Sequence, residues 1–98
     1  MPGPIIAIVA ATVKPGREKE FERLARQLFE VVRGKGYGTD RLVRSLSQPN
    51  LYFDIRDWAS IEAVERAHRD PEIHTLWAQF HRVSKISHVV GSAREVKW

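Results

Sequence analysis

The chain has 98 residues, 43% hydrophobic and 29% charged, which is the balance of one globular domain rather than of a disordered chain. It carries no cysteine, so disulfides, thiolate metal ligands and a cysteine nucleophile are excluded, and a reducing cytoplasm fits. The formal net charge is +4, but Lys and Arg are scattered with acids between them from Lys14 to Lys97, the pattern of a solvated surface rather than a phosphate-tracking stripe. No nucleic-acid partner is therefore expected. No apolar run approaches the roughly 20 residues of a membrane helix, and MPGPIIAIVAATV lacks the basic region and cleavage site of a secretory signal.

Residues 5–13, IIAIVAATV, are β-branched and apolar on both alternating faces and read as a strand covered on both sides. KPG at 14–16 is turn chemistry. In the following REKEFERLARQLFEVVR, Phe21, Leu24, Ala25, Leu28 and Val32 fall on one stripe of an amphipathic helix. Gly34, Gly36 and Gly38 end it. TDRLVRSLS (39–47) and LYFDIRDW (51–58) read as a hairpin around the QPN turn at 48–50. Ser60 is the expected N-cap of SIEAVERAHR, with Glu62 in the first turn. Asp70-Pro71-Glu72 restarts a helix as cap, first-position proline and dipole-compensating acid. That helix is expected to reach about Lys85, and ISHVVGSAREVKW (86–98) closes the chain as a strand.

The order is β-α-β-β-α-β, with the second helix broken near Pro71, which predicts an α+β, ferredoxin-like single domain over residues 1–98. Its antiparallel sheet carries helices on one face. The apolar second face then needs cover, and a second copy of the same sheet supplies it, so a homodimer is expected with Leu51, Phe53 and Ile55 at or near the contact.

Strand alternation puts Leu51, Phe53 and Ile55 on one face and Tyr52, Asp54, Arg56 and Trp58 on the other. A polar row on a central strand needs partners. It is either an Asp54–Arg56 ion pair beside a wet contact or the wall of a cavity. His68 ends the second helix, where a lone histidine commonly caps or packs. Ile73, Leu76, Trp77, Phe80 and Val83 form the next core stripe, with His74 and His81 at its edge and His74 at a pocket mouth. Seven residues separate these two histidines, a rise of roughly 10 Å, too far to share one metal. No metal site is expected. K35-G36-Y37-G38 looks like an RNA-recognition signature, but Thr39 and Asp40 follow where an aromatic is needed, and the first strand has no aromatic.

VKPGREKEF at 13–21, and W58-A-S-I-E-A-V-E-R-A-H68 followed by D-P-E-I, resemble the antibiotic-biosynthesis monooxygenase family over nearly the whole chain. The resemblance implies a dimeric α+β barrel whose protomers each keep a cavity between sheet and helices. It also implies oxidation of a small aromatic, quinol-type molecule by O2 without cofactor. Quinone-forming members supply Asn and Trp from the third strand with N-x-x-x-W spacing; here Trp58 matches and Asp54 stands at the amide position. His68 matches the family histidine. The haem-degrading branch uses Asn, Trp and His where this chain has Val9, Ala67 and Trp77, so that activity is not expected. Asp54 and His68 are thus the candidate catalytic acid–base pair, with Tyr52, Arg56, Trp58, His74 and Trp77 against the substrate. Two other functions share the fold: a non-catalytic small-molecule-binding or accessory dimeric domain, and a non-oxidative isomerase.

Overall fold

The computed structural model describes residues 4–96. Its elements run β1 (Ile5–Val13), α1 (Glu18–Gly34), β2 (Gly38–Arg44), β3 (Leu51–Trp58), α2 (Ile61–His68), α3 (Pro71–Val83) and β4 (Ser84–Ala93). The strands form one sheet in the order β2-β3-β1-β4, antiparallel throughout. This is the ferredoxin-like α+β fold expected from the element order, with the second helical segment split in two at Asp70 and Pro71.

The amphipathic stripe of α1 faces the sheet: Phe21, Leu24, Ala25, Leu28 and Val32 are all buried. They meet Ile73, Leu76, Phe80 and Val83 of α3 in the core, where each large side chain contributes about 1.5–3 kcal/mol by leaving water. Both later helices start on the anticipated caps. Ser60 Oγ accepts from Ala63 N at 3.0 Å, and Asp70 Oδ1 accepts from Glu72 N at 2.9 Å. The second oxygen of Asp70 accepts from Lys35 Nζ at 2.7 Å and from Tyr37 Oη at 2.8 Å. One carboxylate thus caps α3 and ties it to the turn after α1. The Lys35 and then the Tyr37 hydrogen bond hold that carboxyl down at about 2.

Three boundaries differ from the sequence expectation. β2 stops at Arg44, because Ser45 Oγ takes the Gln48 N–H at 3.0 Å and bends the chain before the QPN turn. α3 stops at Val83 and β4 begins at Ser84, which is extended at φ −154°. There the Ser84 hydroxyl donates to the Phe80 carbonyl at 2.7 Å, while Val83 O accepts from Lys14 N at 2.8 Å. β4 ends at Ala93 rather than running on; residues 97 and 98 of the expected strand lie outside the described residues.

Register sets the two faces. Ala7 pairs with Arg56, Val9 with Asp54 and Ala11 with Tyr52, so these point together toward the helices. Ile6, Ile8, Ala10, Leu51, Phe53 and Ile55 point the other way, half-buried and covered by no helix among the described residues. β2 approaches β3 closely at its first residue: a Cβ on Gly38 would lie 2.3 Å from the Asp57 carbonyl oxygen. Only glycine fits there.

Candidate functional site

Between the helix-facing side of the sheet and α2 and α3 lies a cavity of about 400 Å³. A larger groove, about 680 Å³, runs between α1 and β2, but its walls are charged side chains such as Glu22, Arg26, Glu30 and Arg33. The chemistry is concentrated in the smaller space. β1 supplies Ala7 and Val9; β3 supplies Asp54, Arg56 and Trp58; α2 supplies Val64, Ala67 and His68. Ile73, His74, Trp77 and His81 come from α3, and Ile86 and His88 from β4. Apolar walls with a few converging polar groups are the usual form of a small-molecule site.

The polar row of β3 resolves into a cluster with a member from the neighbouring strand. Arg56 Nε donates to Asp40 Oδ2 at 2.7 Å, and its Nη2 reaches Asp54 Oδ2 at 3.4 Å. The cross-strand pairing of Asp40 with Arg56 and of Leu42 with Asp54 brings these side chains together. They are 0% (Asp40), 7% (Arg56) and 14% (Asp54) exposed. One guanidinium cannot neutralise two carboxylates, and buried unbalanced charge is costly. Burial, and next the Asp40 side chain at hydrogen-bonding range, push the Asp54 carboxyl up to about 9, against a weaker opposite pull from Arg56. The pair of carboxyls accordingly favours keeping a proton, with the bias toward Asp54.

Arg56 also stacks over Trp58, its Cζ 4.7 Å from the ring centroid. The His68 ring meets Trp58 edge-on at 6.3 Å between centroids. A continuous wall results, from the carboxyls through the guanidinium and indole to the imidazole at the end of α2. The His74 ring is fixed by a hydrogen bond between its Nε2 and the His68 carbonyl. Trp77 is half-buried and packs on Phe80 at 5.3 Å and His81 at 6.3 Å, so it belongs to core and cavity at once.

The structure therefore gathers Asp54, Arg56, Trp58, His68, His74 and Trp77 around one space, and it leaves Tyr52 out. Tyr52 is buried one turn of the pleat away, donating its hydroxyl to Glu22 Oε2 at 2.6 Å with Arg44 5.0 Å above its ring. Burial and then the Glu22 hydrogen bond push its hydroxyl up to about 12. That side chain anchors β3 to α1. Two lining or supporting residues escaped sequence reasoning, Asp40 and His88. All four histidines of the chain line the cavity, yet among the described residues no three of the His, Asp and Glu side chains form a metal-holding set.

Residues 4–79 match the antibiotic biosynthesis monooxygenase family. The chain belongs to that family. No curated protein sequence matches it. Among solved structures, it is similar to SnoaB from Streptomyces nogalater, a cofactor-independent oxygenase, at 22% identity and TM-score 0.79 over 96% of each chain. It is also similar to a conserved protein from Bacteroides thetaiotaomicron at 8% identity and TM-score 0.83, over 95% of this chain and 100% of that one. A conserved protein from Methanosarcina mazei Go1 has 17% identity and TM-score 0.73, over 89% and 92% of the two chains. At these identities the likeness to other monooxygenase-family structures is one of fold. No helix among the described residues is long and apolar enough to cross a membrane.

Proposed function

We propose that this monooxygenase-family member is a cofactor-independent oxygenase acting on a small aromatic, quinol-type molecule in the 400 Å³ cavity. The observation that carries the proposal is the wall on which Trp58, in contact with Arg56 and His68, lines a largely apolar space that Trp77 also lines. An aromatic ring held there is enclosed by walls that include both indoles, and imidazoles stand within the same walls. Of the two candidate acid–base groups, Asp54 is buried beside a second carboxyl and biased toward its protonated form, which favours His68 as the base. For an anthrone, loss of one ring-methylene proton gives a carbanion that passes electrons to O2. The resulting hydroperoxide loses water, so that CH2 plus O2 becomes C=O plus H2O, and all four electrons taken up by oxygen come from the substrate.

The bare apolar face of the sheet supports a homodimer built through Ile6, Ile8, Phe53 and Ile55, and the lack of cysteine supports a cytoplasmic setting. Oxygen uptake with 1,8-dihydroxyanthrone, measured above the spontaneous rate and in the presence of chelator, tests the activity. His68→Ala should lower turnover by roughly the 10²–10⁴-fold of a lost general base, with little change in binding. Saturable binding with no oxygen uptake would instead favour a non-catalytic binding domain.

A further inference from the structure

Two carboxyls and one guanidinium in a dry strand pair pose a problem of charge and of hydrogen bonding together. Asp40 Oδ1 and Asp54 Oδ1 are both buried, and neither has a donor. Each second oxygen, by contrast, faces Arg56, at 2.7 Å and 3.4 Å. Buried acceptors left without partners are costly. A single proton between the carboxyls relieves both orphaned oxygens and brings the cluster to one negative and one positive charge. Like carboxyls that cannot both ionise behave in this way elsewhere.

We infer that Asp40 is a positioning residue which, by sharing one proton with Asp54 beneath Arg56, makes Asp54 a neutral hydrogen-bond donor, so that the cavity selects ligands carrying a carbonyl or phenolate oxygen at that wall. The Asp40 side chain is enclosed and its residue borders the α1 groove rather than the cavity, whereas Asp54 lines the cavity. An arriving acceptor oxygen takes that proton from Asp40 when the Asp54 carboxyl turns toward the cavity, because Asp54 Oδ1 is itself enclosed. Asp40 then keeps its Arg56 hydrogen bond, so the exchange leaves no charge unpaired. Other titratable groups around the pair are His68 on α2, His74 and His81 on α3 and His88 on β4, in the same cavity. On the α1 side, Glu22, Arg26, Glu30 and Arg33 line the groove that borders Asp40. β1 presents only Ala7 and Val9. This inference deepens the oxygenase proposal and rests on the same cavity, but needs no turnover.

The test uses fluorenone and fluorene, which share a shape, do not titrate, and differ by one carbonyl oxygen. Binding is followed by quenching of tryptophan fluorescence, alongside 13C NMR titration of carboxyl-labelled aspartates. The wild-type protein should prefer fluorenone by about fivefold, the worth of one neutral hydrogen bond, and lose that preference above pH 9 to 10. One aspartate carboxyl should titrate near 9 and vanish from the spectrum of Asp54→Asn. Asp54→Asn, whose amide always donates, should keep the preference at every pH. Asp40→Asn should move the high titration down by more than two pH units and abolish the preference at pH 7. Equal binding of the two ligands, binding of neither, or a high titration untouched in Asp40→Asn would overturn the assignment. Should Asp40→Asn fail to fold, the wild-type and Asp54→Asn titrations and ligand preferences still decide it. Failure of oxygen uptake alone would count against the oxygenase proposal and leave this one standing.

Discussion

Replacing Arg56 by Met removes the cation of the buried cluster while roughly keeping its volume. Arg56 is 7% exposed and Asp40 is 0% exposed, so the partner carboxylate cannot turn to water when its guanidinium is gone. Breaking one side of such a pair costs about 3–5 kcal/mol. With one proton shared between the two carboxyls, a single negative charge loses its cation, which places the loss near the low end, about 3 kcal/mol. At roughly 4–8 °C per kcal/mol for a domain of this size, the melting temperature should fall by about 12–24 °C. Thermal unfolding at pH 7, followed by tryptophan fluorescence at one fixed protein concentration, measures this. Adding Asp40→Asn to the Arg56→Met chain removes the stranded charge and should recover most of the loss. A loss under about 1 kcal/mol, the size of a surface pair, would refute the reasoning, and so would a double variant no more stable than the single one.

Asp54→Asn should change how stability depends on pH. The folded carboxyl titrates near 9, well above its ordinary value of 3.8, so the native state binds the extra proton between those values. Stability from this group is full below about pH 4 and drains as pH rises toward 9; Asp54→Asn should flatten that slope in denaturant titrations at pH 5, 7 and 9. Asp70 works in the opposite sense, because its carboxyl is held down at about 2 from 3.8. Its contribution is present above about pH 4 and is lost as pH falls through 2, so Asp70→Asn should shrink the acid sensitivity of the melting temperature between pH 5 and pH 2. Phe53→Glu, on the bare sheet face, should turn the proposed dimer into monomeric or aggregated protein in sedimentation; a dimer that persists in the variant would place the contact elsewhere.

Much of this architecture was readable before any coordinates. Ser60 and Asp70 act locally, through hydrogen bonds that span two or three residues, so their roles follow from sequence spacing alone. The same holds for the period-two alternation that sends Asp54, Arg56 and Trp58 to one face. Asp40 was not readable as part of the site, because its meaning depends on the register that puts it opposite Arg56. A one-residue slip would have sent it outward. Its parity with apolar Leu42 was the available signal. Tyr52 shows the converse limit: strand parity assigned its face correctly, but only the packing of α1 decides that Glu22, and not a ligand, receives its hydroxyl. His88 sits among serines and valines, and its convergence with the other three histidines needs the β1–β4 pairing, where it lies opposite Val9.

Of the two segments over the cavity, α2 is anchored very differently from α1. α2 is eight residues long and buries only Ala63 and Ala67, whereas α1 buries five side chains, among them Phe21, Leu24 and Leu28. Burial area scales with side-chain size, so the α2 wall of the cavity is held only by two methyl groups, half-buried Val64, the His68 contact with Trp58 and its caps. Local opening free energies follow such anchoring. Amide protons of α2 should then exchange with solvent well before those of α1, and molecules should reach the indole of Trp58 by displacing this short segment while the sheet stays still. Occupancy of the cavity would in that case be felt first as slower exchange along residues 61–68, making the least stable part of the fold the one that reports on what it encloses.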